Sequence, residues 1–496
     1  MESYILALDQ GTTSSRAILF DQAGREAAMS QKPFTQRYPK PGWVEHDPEE
    51  IWATQISAAR EAIAKARIPA SSIAAIGIAN QRETAVFWDR DTGAPLGPAI
   101  VWQDRRTTEI CRRLSAEGLE KIITERTGLL LDPYFSATKV MWFLQSNDDM
   151  RARAQRGGVC FGTVDSWLVH RLTGQHLTDP SNASRTMLYD IRRGAWDSEL
   201  AAAMGVPVSL LPEVRPSSSA FGTADRALLG AEIPVCGVLG DQQAALLGQA
   251  CLEPGAVKVT YGTGCFCLLA TGRDVVKSRN RLLTTIAWDL GDGAEYALEG
   301  SVFIGGAVVQ WLRDELRILS SAAESETLAR AIGDTGGVYF VPAFTGLGAP
   351  WWDPDARGSI FGLTRGTRQE HLVRAGLESI AFQTRDLVEA MQKDAGRSIR
   401  SVRVDGGAST NAFLMQFQAD VLGVPLVRPR TFETTALGAA FAAGLRAGLW
   451  PGRERLGEIW QADAIFEPSM DAVTRGALVE RWTAAVRAAR SFGGGA

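Results

Sequence analysis

The chain has 496 residues, more than one hydrophobic core usually supports, and we therefore expect two or more domains. Its composition, 45% hydrophobic and 22% charged, is that of an ordinary globular protein. A formal net charge of -4 excludes a general attraction to nucleic acid or to an anionic membrane. The sequence shows neither a secretory signal pattern nor the apolar run that a membrane span requires, so we expect a cytoplasmic protein without membrane insertion.

Cysteine and histidine usage argues against a disulfide framework or a zinc site. The six cysteines are scattered without a CxxC pair. The four histidines show no metal-binding spacing, and we interpret them as structural or surface residues. The chain also lacks a GxxxxGK[ST] sequence, which excludes a P-loop as the nucleotide-binding element.

The first apolar run ends in a carboxylate and a turn rich in hydroxyl groups. Residues 4–21 read YILALDQGTTSSRAILFD, which predicts a hairpin with Asp9 at the end of its first strand. Backbone N–H groups in such a turn face one concavity, and the hydroxyls of the TTSS sequence add donors that suit phosphate oxygens. Asp9 can hold Mg²⁺ through water, because this ion prefers oxygen ligands and keeps much of its hydration shell. The alternative is an ordinary hairpin turn.

Next along the chain, a pair of adjacent opposite charges separates two apolar runs. A helical stretch, PEEIWATQISAAREAIAKA, precedes the β-rich runs IAAIGIAN and AVFW, and this alternation is typical of an α/β protein. Between these two runs stand Arg82 and Glu83. Arg can donate to the hydroxyl oxygens of a polyol, and Glu can accept its hydroxyl protons. A surface turn would have a similar sequence.

The segment VLGDQQAALLG places Asp241 where a helix is predicted to begin. As an N-cap, Asp241 would only satisfy backbone donors. As a catalytic base, it would accept a proton from an attacking hydroxyl and could also face a metal ion. The positive end of the helix should keep the pKa of this carboxyl low.

The pattern of the N-terminus returns in the middle of the chain. After residues 252–255, the sequence AVKVTYGTGCFCLLATG is again an apolar run, a Gly/Thr turn and an apolar run. We predict one design used twice, with domains at residues 1–250 and 251–496. The second turn, YGTG, could grip a phosphate from the opposite side. The runs IGGAVVQWLRDEL, QEHLVRAGLESIAFQTRDLVEAMQK, SVRVDGG and NAFLMQFQADVLG continue the α/β pattern.

A third glycine-rich site is VRVDGGASTN. Gly406 and Gly407 at the junction of a strand and a helix would allow the backbone to approach a ligand closely. The amide of Asn411, in the first turn of the helix, could contact a base or a ribose. The alternative is that the two glycines serve turn geometry alone.

An ordered set of motifs resembles the FGGY carbohydrate kinase family. The set extends from about Tyr4 to beyond Phe441, nearly the whole chain, and is specific because the motifs occur in family order. The motifs are DQGTTSSR, NQRET, WQDRRT, YFSATKVMWFL, GDQQAAL, TYGTGCF, GSVFIGGAVVQWLRDE, FTGLGAPWWDP, ARGSIFGLTRG and VDGGASTNAFLMQF. The resemblance implies an α/β fold of two actin-like, ribonuclease-H-like ATPase domains, with ATP and glycerol meeting in a central cleft.

The resemblance also implies roles for individual residues. Residues that match the family's polyol pocket would bind glycerol: Arg82, Glu83, Trp102, Tyr134, Asp241, Gln242 and Phe266. Residues that match its nucleotide contacts would bind ATP: Thr12, Thr13, Ser14, Arg16, Thr263, Gly306, Gln310, Gly407 and Asn411. Asp241 corresponds to the catalytic base and Asp9 to the metal-linked aspartate, and both would face Mg²⁺. A homo-oligomer, dimer or tetramer, is expected by analogy.

The implied reaction is in-line transfer of the γ-phosphoryl group of ATP to a terminal hydroxyl of glycerol. A kinase for another polyol or ketose is the nearest alternative, although Trp102 and Phe266 beside the charged pair leave little space for five carbons. An actin- or chaperone-like ATP switch would share the fold but would hydrolyse ATP without an acceptor. A non-catalytic sensor is the third alternative, against which the presence of Asp9 and Asp241 argues.

Two regulatory features of some bacterial family members are not expected in this chain. The region ahead of GDQQ, which is a glycine-rich basic loop for fructose 1,6-bisphosphate in those members, reads SSSAFGTADRALLGAEIP. Others are phosphorylated on a histidine in this region, but no histidine lies between His176 and His371.

Overall fold

The computed structural model describes residues 3–493. The strands of its N-terminal half are β1 (Tyr4–Gln10), β2 (Ser14–Phe20), β3 (Glu26–Pro33), β4 (Glu45–His46), β5 (Ile73–Asn80), β6 (Val86–Asp89), β7 (Ala99–Ile100), β8 (Val159–Gly162), β9 (Leu177–Thr178), β10 (Tyr189–Asp190), β11 (Ala195–Trp196), β12 (Glu213–Val214), β13 (Thr223–Ala224) and β14 (Ile233–Gly240). The helices of this half are α1 (Pro48–Ala66), α2 (Thr108–Ala116), α3 (Glu120–Thr127), α4 (Ser136–Gln145), α5 (Asp148–Gln155), α6 (Val164–Thr173), α7 (Pro180–Ala183), α8 (Ser198–Ala203), α9 (Arg226–Leu229) and α10 (Asp241–Gly248).

The C-terminal half has the same alternating character. Its strands are β15 (Val257–Tyr261), β16 (Cys265–Gly272), β17 (Leu283–Asp289), β18 (Ala294–Val302), β19 (Tyr339–Val341), β20 (Ser359–Phe361), β21 (Val402–Asp405), β22 (Leu426–Pro429) and β23 (Ala462–Phe466). Its helices are α11 (Ala307–Asp314), α12 (Glu324–Arg330), α13 (Gln369–Ala395), α14 (Ala412–Leu422), α15 (Thr434–Arg446), α16 (Arg453–Ile459) and α17 (Ala472–Gly493). No helix in the described range 3–493 is long and apolar enough to cross a membrane.

The two large sheets have the same strand order and directions. The first sheet has the order β13-β14-β5-β1-β2-β3, and the second has β23-β22-β21-β15-β16-β18 with β17 added at the edge. In both, the two central pairings are parallel and the remaining equivalent pairings are antiparallel. This equivalence confirms that one design is used twice. The run AVFW overlaps β6, but this strand pairs with β8 outside the large sheets.

The local sequence explains the central strands of the first large sheet and the helix that packs on it. Strands β5 and β14 are apolar along nearly their whole length because they lie inside a parallel sheet with both faces covered. Helix α1, which packs on this sheet, begins at the N-cap Asp47, whose side chain accepts from the Glu49 backbone, and has Pro48 in its first turn.

Helix α15 of the C-terminal half joins the two halves. It packs on β1, β5 and β14 of the first sheet and on α10. At its contact with α10 a Cβ on Gly438 would lie 1.8 Å from the Ala244 carbonyl oxygen, so only glycine allows the helices to come this close. Apolar residues of both halves, such as Ile5 and Phe441, share one buried cluster. The boundary near residue 250 falls between α10 and β15, and we retain it as a proposal.

Candidate active site

Three strands of the first sheet end at one level, and this gathers the residues that follow them. Gln10, the last residue of β1, pairs with Asn80 of β5, which in turn pairs with Gly240 of β14. The segments carrying Arg82 and Asp241 therefore leave the sheet side by side. Parallel strands present their carboxyl ends at one edge, where α/β proteins commonly bind ligands.

A small cavity lies at this edge. Its volume is about 100 Å³. The residues that line it are Thr12, Arg82, Glu83, Trp102, Tyr134, Asp241, Gln242 and Phe266. The structure thus brings all seven residues predicted for the polyol around one cavity. Phe266 comes from β16, so both halves of the chain contribute to the cavity wall.

Arg82 is the centre of the charged network behind the cavity. Its guanidinium donates to both carboxylate oxygens of Glu299, at 2.5 Å and 3.0 Å, and to the Gln243 Oε1 at 3.1 Å. The Arg82 Nε lies 3.2 Å from the Asp241 Oδ1. This side chain is buried and its donors are largely engaged, so its position is fixed before any ligand binds.

Glu83 is held in an unusual backbone conformation. Its φ of 62° lies in the left-handed region, and the Thr84 N–H donates to the Arg82 carbonyl across it at 2.7 Å. Such geometry in a non-glycine residue costs on the order of 1–3 kcal/mol and persists only where its surroundings fix it. Here the Arg185 Nε donates to the Glu83 Oε1 at 2.6 Å, and the Ser136 hydroxyl donates to the Glu83 carbonyl at 3.0 Å.

Two residues of this network were missed in the sequence, Arg185 and Glu299. Arg185 Nη2 donates to the Glu299 Oε1 at 2.9 Å, and both side chains are almost completely buried. Burial opposes the charged form of Glu299, but Arg185 and Arg82 outweigh it and lower the pKa of this carboxyl to about 2. The available signal was an acidic residue between Leu298 and Gly300 of β18, a strand that also carries Glu295.

Asp241 is not the N-cap of α10, because Gly240 holds that position and Asp241 is the first helical residue. The Asp241 Oδ1 accepts the Gln242 backbone N–H at 2.7 Å. The expectation of a low pKa is wrong: burial raises the pKa of Asp241 and outweighs the opposing charges of Arg82 and Lys258. A raised pKa makes this carboxylate a better proton acceptor.

Aromatic side chains close the other side of the cavity. The Trp102 Nε1 donates to the Thr12 hydroxyl at 3.0 Å, and the Trp102 and Tyr134 rings meet edge to face with centroids 5.6 Å apart. Thr12, which was predicted as a nucleotide contact, therefore also lines the acceptor cavity. Rings facing carboxylates and a guanidinium suit a small ligand with an apolar carbon edge and several hydroxyls.

Asp9 lies at the end of β1 and is nearly buried. Burial raises its pKa to about 7, although Arg16 opposes this, with its Nη1 3.7 Å from the Asp9 Oδ2. Arg16 also forms an ion pair with Glu433, just ahead of α15. The negative charge of Asp241 adds to the rise in pKa, so a cation between the two carboxylates would relieve their repulsion.

The donors in this region fit a magnesium ion that keeps most of its water. Within residues 3–493, no group of three or more His, Cys, Asp or Glu side chains is arranged to hold a metal. Asp9 and Asp241 supply carboxylate oxygens only, and Mg²⁺ is typically bound by one or two carboxylates together with substrate phosphates.

The two predicted phosphate turns are placed at the tips of equivalent hairpins. In the first, the Gly11 N–H donates to the Ser14 carbonyl at 3.0 Å, and in the second the Gly262 N–H donates to the Gly264 carbonyl at 2.9 Å. Thr13 and Thr263 are exposed. The hydroxyl of Ser14 accepts from Gln31 Nε2 at 2.7 Å. Exposed turns of this kind leave donors accessible to an anion.

The remaining predicted nucleotide residues lie near the second turn. The Gly306 N–H donates to the Gly262 carbonyl at 2.8 Å, and Gln310 is exposed on the same helix, α11. A Cβ on Gly306 would lie 4.0 Å from the Ala408 Cβ, which brings the VDGGAST turn beside this helix. Gly407 has open space around it.

Asn411 has a capping role in the structure. As the N-cap of α14, its Oδ1 accepts the Leu414 N–H at 2.9 Å, and its Nδ2 donates to the Ser325 hydroxyl at 3.3 Å. Its side chain stays partly exposed, so a nucleotide contact through this amide remains a prediction.

Family models for two domains together match most of the chain. The N-terminal domain of the FGGY family of carbohydrate kinases matches residues 4–248, and the C-terminal domain of that family matches residues 257–447. The chain belongs to the FGGY family of carbohydrate kinases. It is therefore a kinase, and the predicted fold class and enzyme class are confirmed.

Full-length relatives give more specific information about the chain than the family models do. The chain is 56% identical over 494 residues to a glycerol kinase of Carboxydothermus hydrogenoformans, and 57% identical over 494 residues to one of Caldanaerobacter subterraneus subsp. tengcongensis, covering 99% of each chain. A solved structure of Plasmodium falciparum glycerol kinase with ADP is 36% identical, with a TM-score of 0.93 and 98% of both chains covered.

Proposed function

We propose that the protein transfers the γ-phosphoryl group of ATP to a terminal hydroxyl of glycerol, with release of sn-glycerol 3-phosphate and ADP. The observation that carries this proposal is the cavity of about 100 Å³ whose wall contains every residue predicted for glycerol. The similarity to proteins named glycerol kinase, over 99% of the chain, supports it.

The cavity offers each part of glycerol a suitable partner. Arg82 and Gln242 carry N–H donors for hydroxyl oxygens, whereas Glu83 and Asp241 carry acceptors for hydroxyl protons. Trp102 packs against the carbon chain on the remaining side. A buried network that is already paired needs little rearrangement when the ligand binds, which favours a correct reacting geometry.

In the proposed reaction, Asp241 accepts the proton of the attacking hydroxyl. Its raised pKa supports this role, and its place in the first helical turn directs the carboxylate into the cavity wall. The turns at Thr13 and Thr263 would bind the phosphates through backbone N–H groups. Bound Mg²⁺, held by Asp9 and Asp241, would offset phosphate charge.

A cavity of this size favours glycerol over longer acceptors. Pockets for drug-sized ligands are commonly about 300–1,000 Å³ in volume, whereas this one is about 100 Å³. A ketose of five carbons would require Trp102 or Phe266 to move. The alternative of an ATP switch offers no use for a small cavity that is lined by charged and aromatic side chains and has a base at its edge.

The deciding experiment is ADP release by the purified protein with Mg-ATP. Glycerol, erythritol, xylulose, ribulose and no acceptor are compared under one set of conditions. A response to glycerol, with sn-glycerol 3-phosphate as the product, is the expected result. Preference for a longer acceptor would contradict the substrate, and equal ADP release without an acceptor would favour the switch.

We further propose that the enzyme requires Mg²⁺, that it is cytoplasmic and that it forms a homo-oligomer. The carboxylate pair of Asp9 and Asp241 supports the first part. The cytoplasmic location follows the expectation drawn from the sequence, and the homo-oligomer rests on the family resemblance. Removal of divalent cations with EDTA should abolish turnover, and added Mg²⁺ should restore it. Light scattering on the purified protein tests the oligomeric state.

A further inference from the structure

A buried lysine contacts the acceptor cavity from behind. Lys258 lies on β15, between Val257 and Val259, and has no exposed surface. Its Nζ donates to the Gln242 Oε1 at 2.5 Å and to the Thr260 hydroxyl at 2.9 Å. Burying an ammonium group costs free energy unless the group is well paired. A lysine in an apolar strand is therefore expected to have a specific role.

This contact determines which way the Gln242 amide faces. An ammonium group can only donate, so the atom of Gln242 that meets Lys258 is the amide oxygen. The amide nitrogen is thereby turned away from Lys258. In the described part of the chain the Gln242 Nε2 has no hydrogen-bond partner, and Gln242 lines the cavity.

The same contact crosses between the two halves. Gln242 belongs to the first turn of α10, beside Asp241. Lys258 belongs to the strand that leads directly into the exposed Gly262–Gly264 turn. The orientation of an acceptor-binding amide on one half thus depends on a strand that carries a predicted phosphate turn on the other.

We propose that Lys258 is a positioning residue for the acceptor: it holds the Gln242 amide so that its N–H groups donate to a hydroxyl of glycerol. The inference rests on the proposed function. Without the ammonium group, the amide can turn its oxygen toward the cavity, and one donor to the acceptor is lost. The loss of one hydrogen bond corresponds to a rise of about tenfold in the KM for glycerol.

The test is a double-mutant cycle with Lys258→Met and Gln242→Met. Methionine keeps the unbranched apolar stem of lysine, is one atom shorter, and removes the donor. Each single variant should raise the KM for glycerol, with little change in the KM for ATP. The double variant should be no worse for glycerol than Gln242→Met alone, because Lys258 acts through Gln242. Lys393→Met, an exposed lysine on α13, is the matched control.

Three results would overturn the inference. These are an unchanged glycerol KM in Lys258→Met, a further rise when this change is added to Gln242→Met, and a parallel rise in the KM for ATP. If Lys258→Met does not fold, Lys258→Leu takes its place in the cycle, since leucine also lacks a donor for the Gln242 Oε1. A wild-type protein without glycerol-dependent ADP formation would instead overturn the proposed function, and this inference with it.

Discussion

The acceptor cavity and the phosphate turns are built in opposite ways. Around the cavity, buried charged side chains such as Arg82, Arg185 and Glu299 hold one another. At the turns, Thr13 and Thr263 are exposed, and the shape is fixed by backbone hydrogen bonds and glycines. A small neutral acceptor must be recognised by individual hydrogen bonds, whereas a phosphate can be held by any set of converging N–H groups.

This difference predicts where substitutions act. Side-chain changes at the cavity should be costly and should affect glycerol. At the turns, side-chain truncation should be mild, and changes that disturb the backbone should affect ATP. The following variants test this contrast, from the largest expected effect to the smallest.

The largest effect is expected for Asp241→Asn. Asparagine keeps the size of the side chain and can still accept the Gln242 N–H, but it cannot take a proton. Loss of a general base typically lowers turnover by about 10²–10⁴-fold. We expect kcat to fall in this range while the KM for ATP stays close to that of the wild type. Asp225→Asn, which alters an exposed N-cap on α9, is the control; wild-type kcat in Asp241→Asn would exclude this residue as the base.

Glu299→Gln should have the next largest effect. It leaves Arg82 and Arg185 buried without their shared carboxylate, and breaking a buried ion pair typically costs about 3–5 kcal/mol of folding free energy. We expect lower stability in urea. We also expect the misplaced Arg82 to weaken glycerol binding by about 2.8 kcal/mol, which corresponds to a rise of about a hundredfold in the KM for glycerol. Glu295→Gln on the same strand, which removes the pair with Arg453, controls for the substitution.

The pH dependence of stability gives the Glu299 variant a second measurement. The pKa of Glu299 is lowered from 4.5 to about 2, so its ionised form stabilises the folded state above about pH 4.5. This contribution is lost as the pH falls toward 2. The wild type should therefore lose stability across this window more steeply than Glu299→Gln. Parallel curves for the two proteins would argue against a buried ionised Glu299.

Gly406→Ala tests the nucleotide side through the backbone. Its φ is 85°, and a Cβ would lie 2.5 Å from the Tyr261 carbonyl oxygen, so β21 and β15 would have to separate. We expect the KM for ATP to rise about tenfold, with the KM for glycerol less affected. Gly396 has a similar positive φ of 61°, but an added Cβ would meet open space. Gly396→Ala therefore distinguishes the effect of backbone strain from that of a steric clash. A larger rise in the KM for glycerol than in the KM for ATP would contradict the proposed difference between the cavity and the turns.

The sequence predicted the backbone of the site better than its charges. The sequence predicted both hairpins, the helix after Asp241 and the VRVDGG strand, because apolar periodicity and glycine positions are local properties. It did not predict the partners of Arg82. Glu299 lies 217 positions away, and only the folding of two halves against each other brings these charges together.

The pKa of Asp241 shows the same limit. The sequence places it at a helix N-terminus, and the dipole alone predicts a low pKa. Burial among side chains that different parts of the chain bring to the cavity reverses this direction. The role of Thr12 was similarly incomplete, because its contact with Trp102 spans 90 positions.

The smallest effects come from the same substitution made in both turns, Thr12→Val and Thr263→Val. Valine has the shape of threonine without the hydroxyl. Thr12 accepts the Trp102 indole N–H at 3.0 Å, so its loss should loosen the cavity wall and raise the KM for glycerol about fivefold. Thr263 is exposed, and its turn is held by the backbone, so the KM for ATP should rise less than about threefold.

Steady-state kinetics with each substrate varied in turn distinguishes the two threonine variants. Thermal unfolding serves as the control, because neither change should alter the midpoint by more than a few degrees. If Thr12→Val affected ATP alone, the first turn would belong to the nucleotide side only. If Thr263→Val and Thr12→Val raised the KM for ATP equally, the two turns would be equivalent in function as well as in topology. A glycerol effect confined to Thr12 would instead mean that the duplicated hairpin has diverged, with one copy serving both substrates.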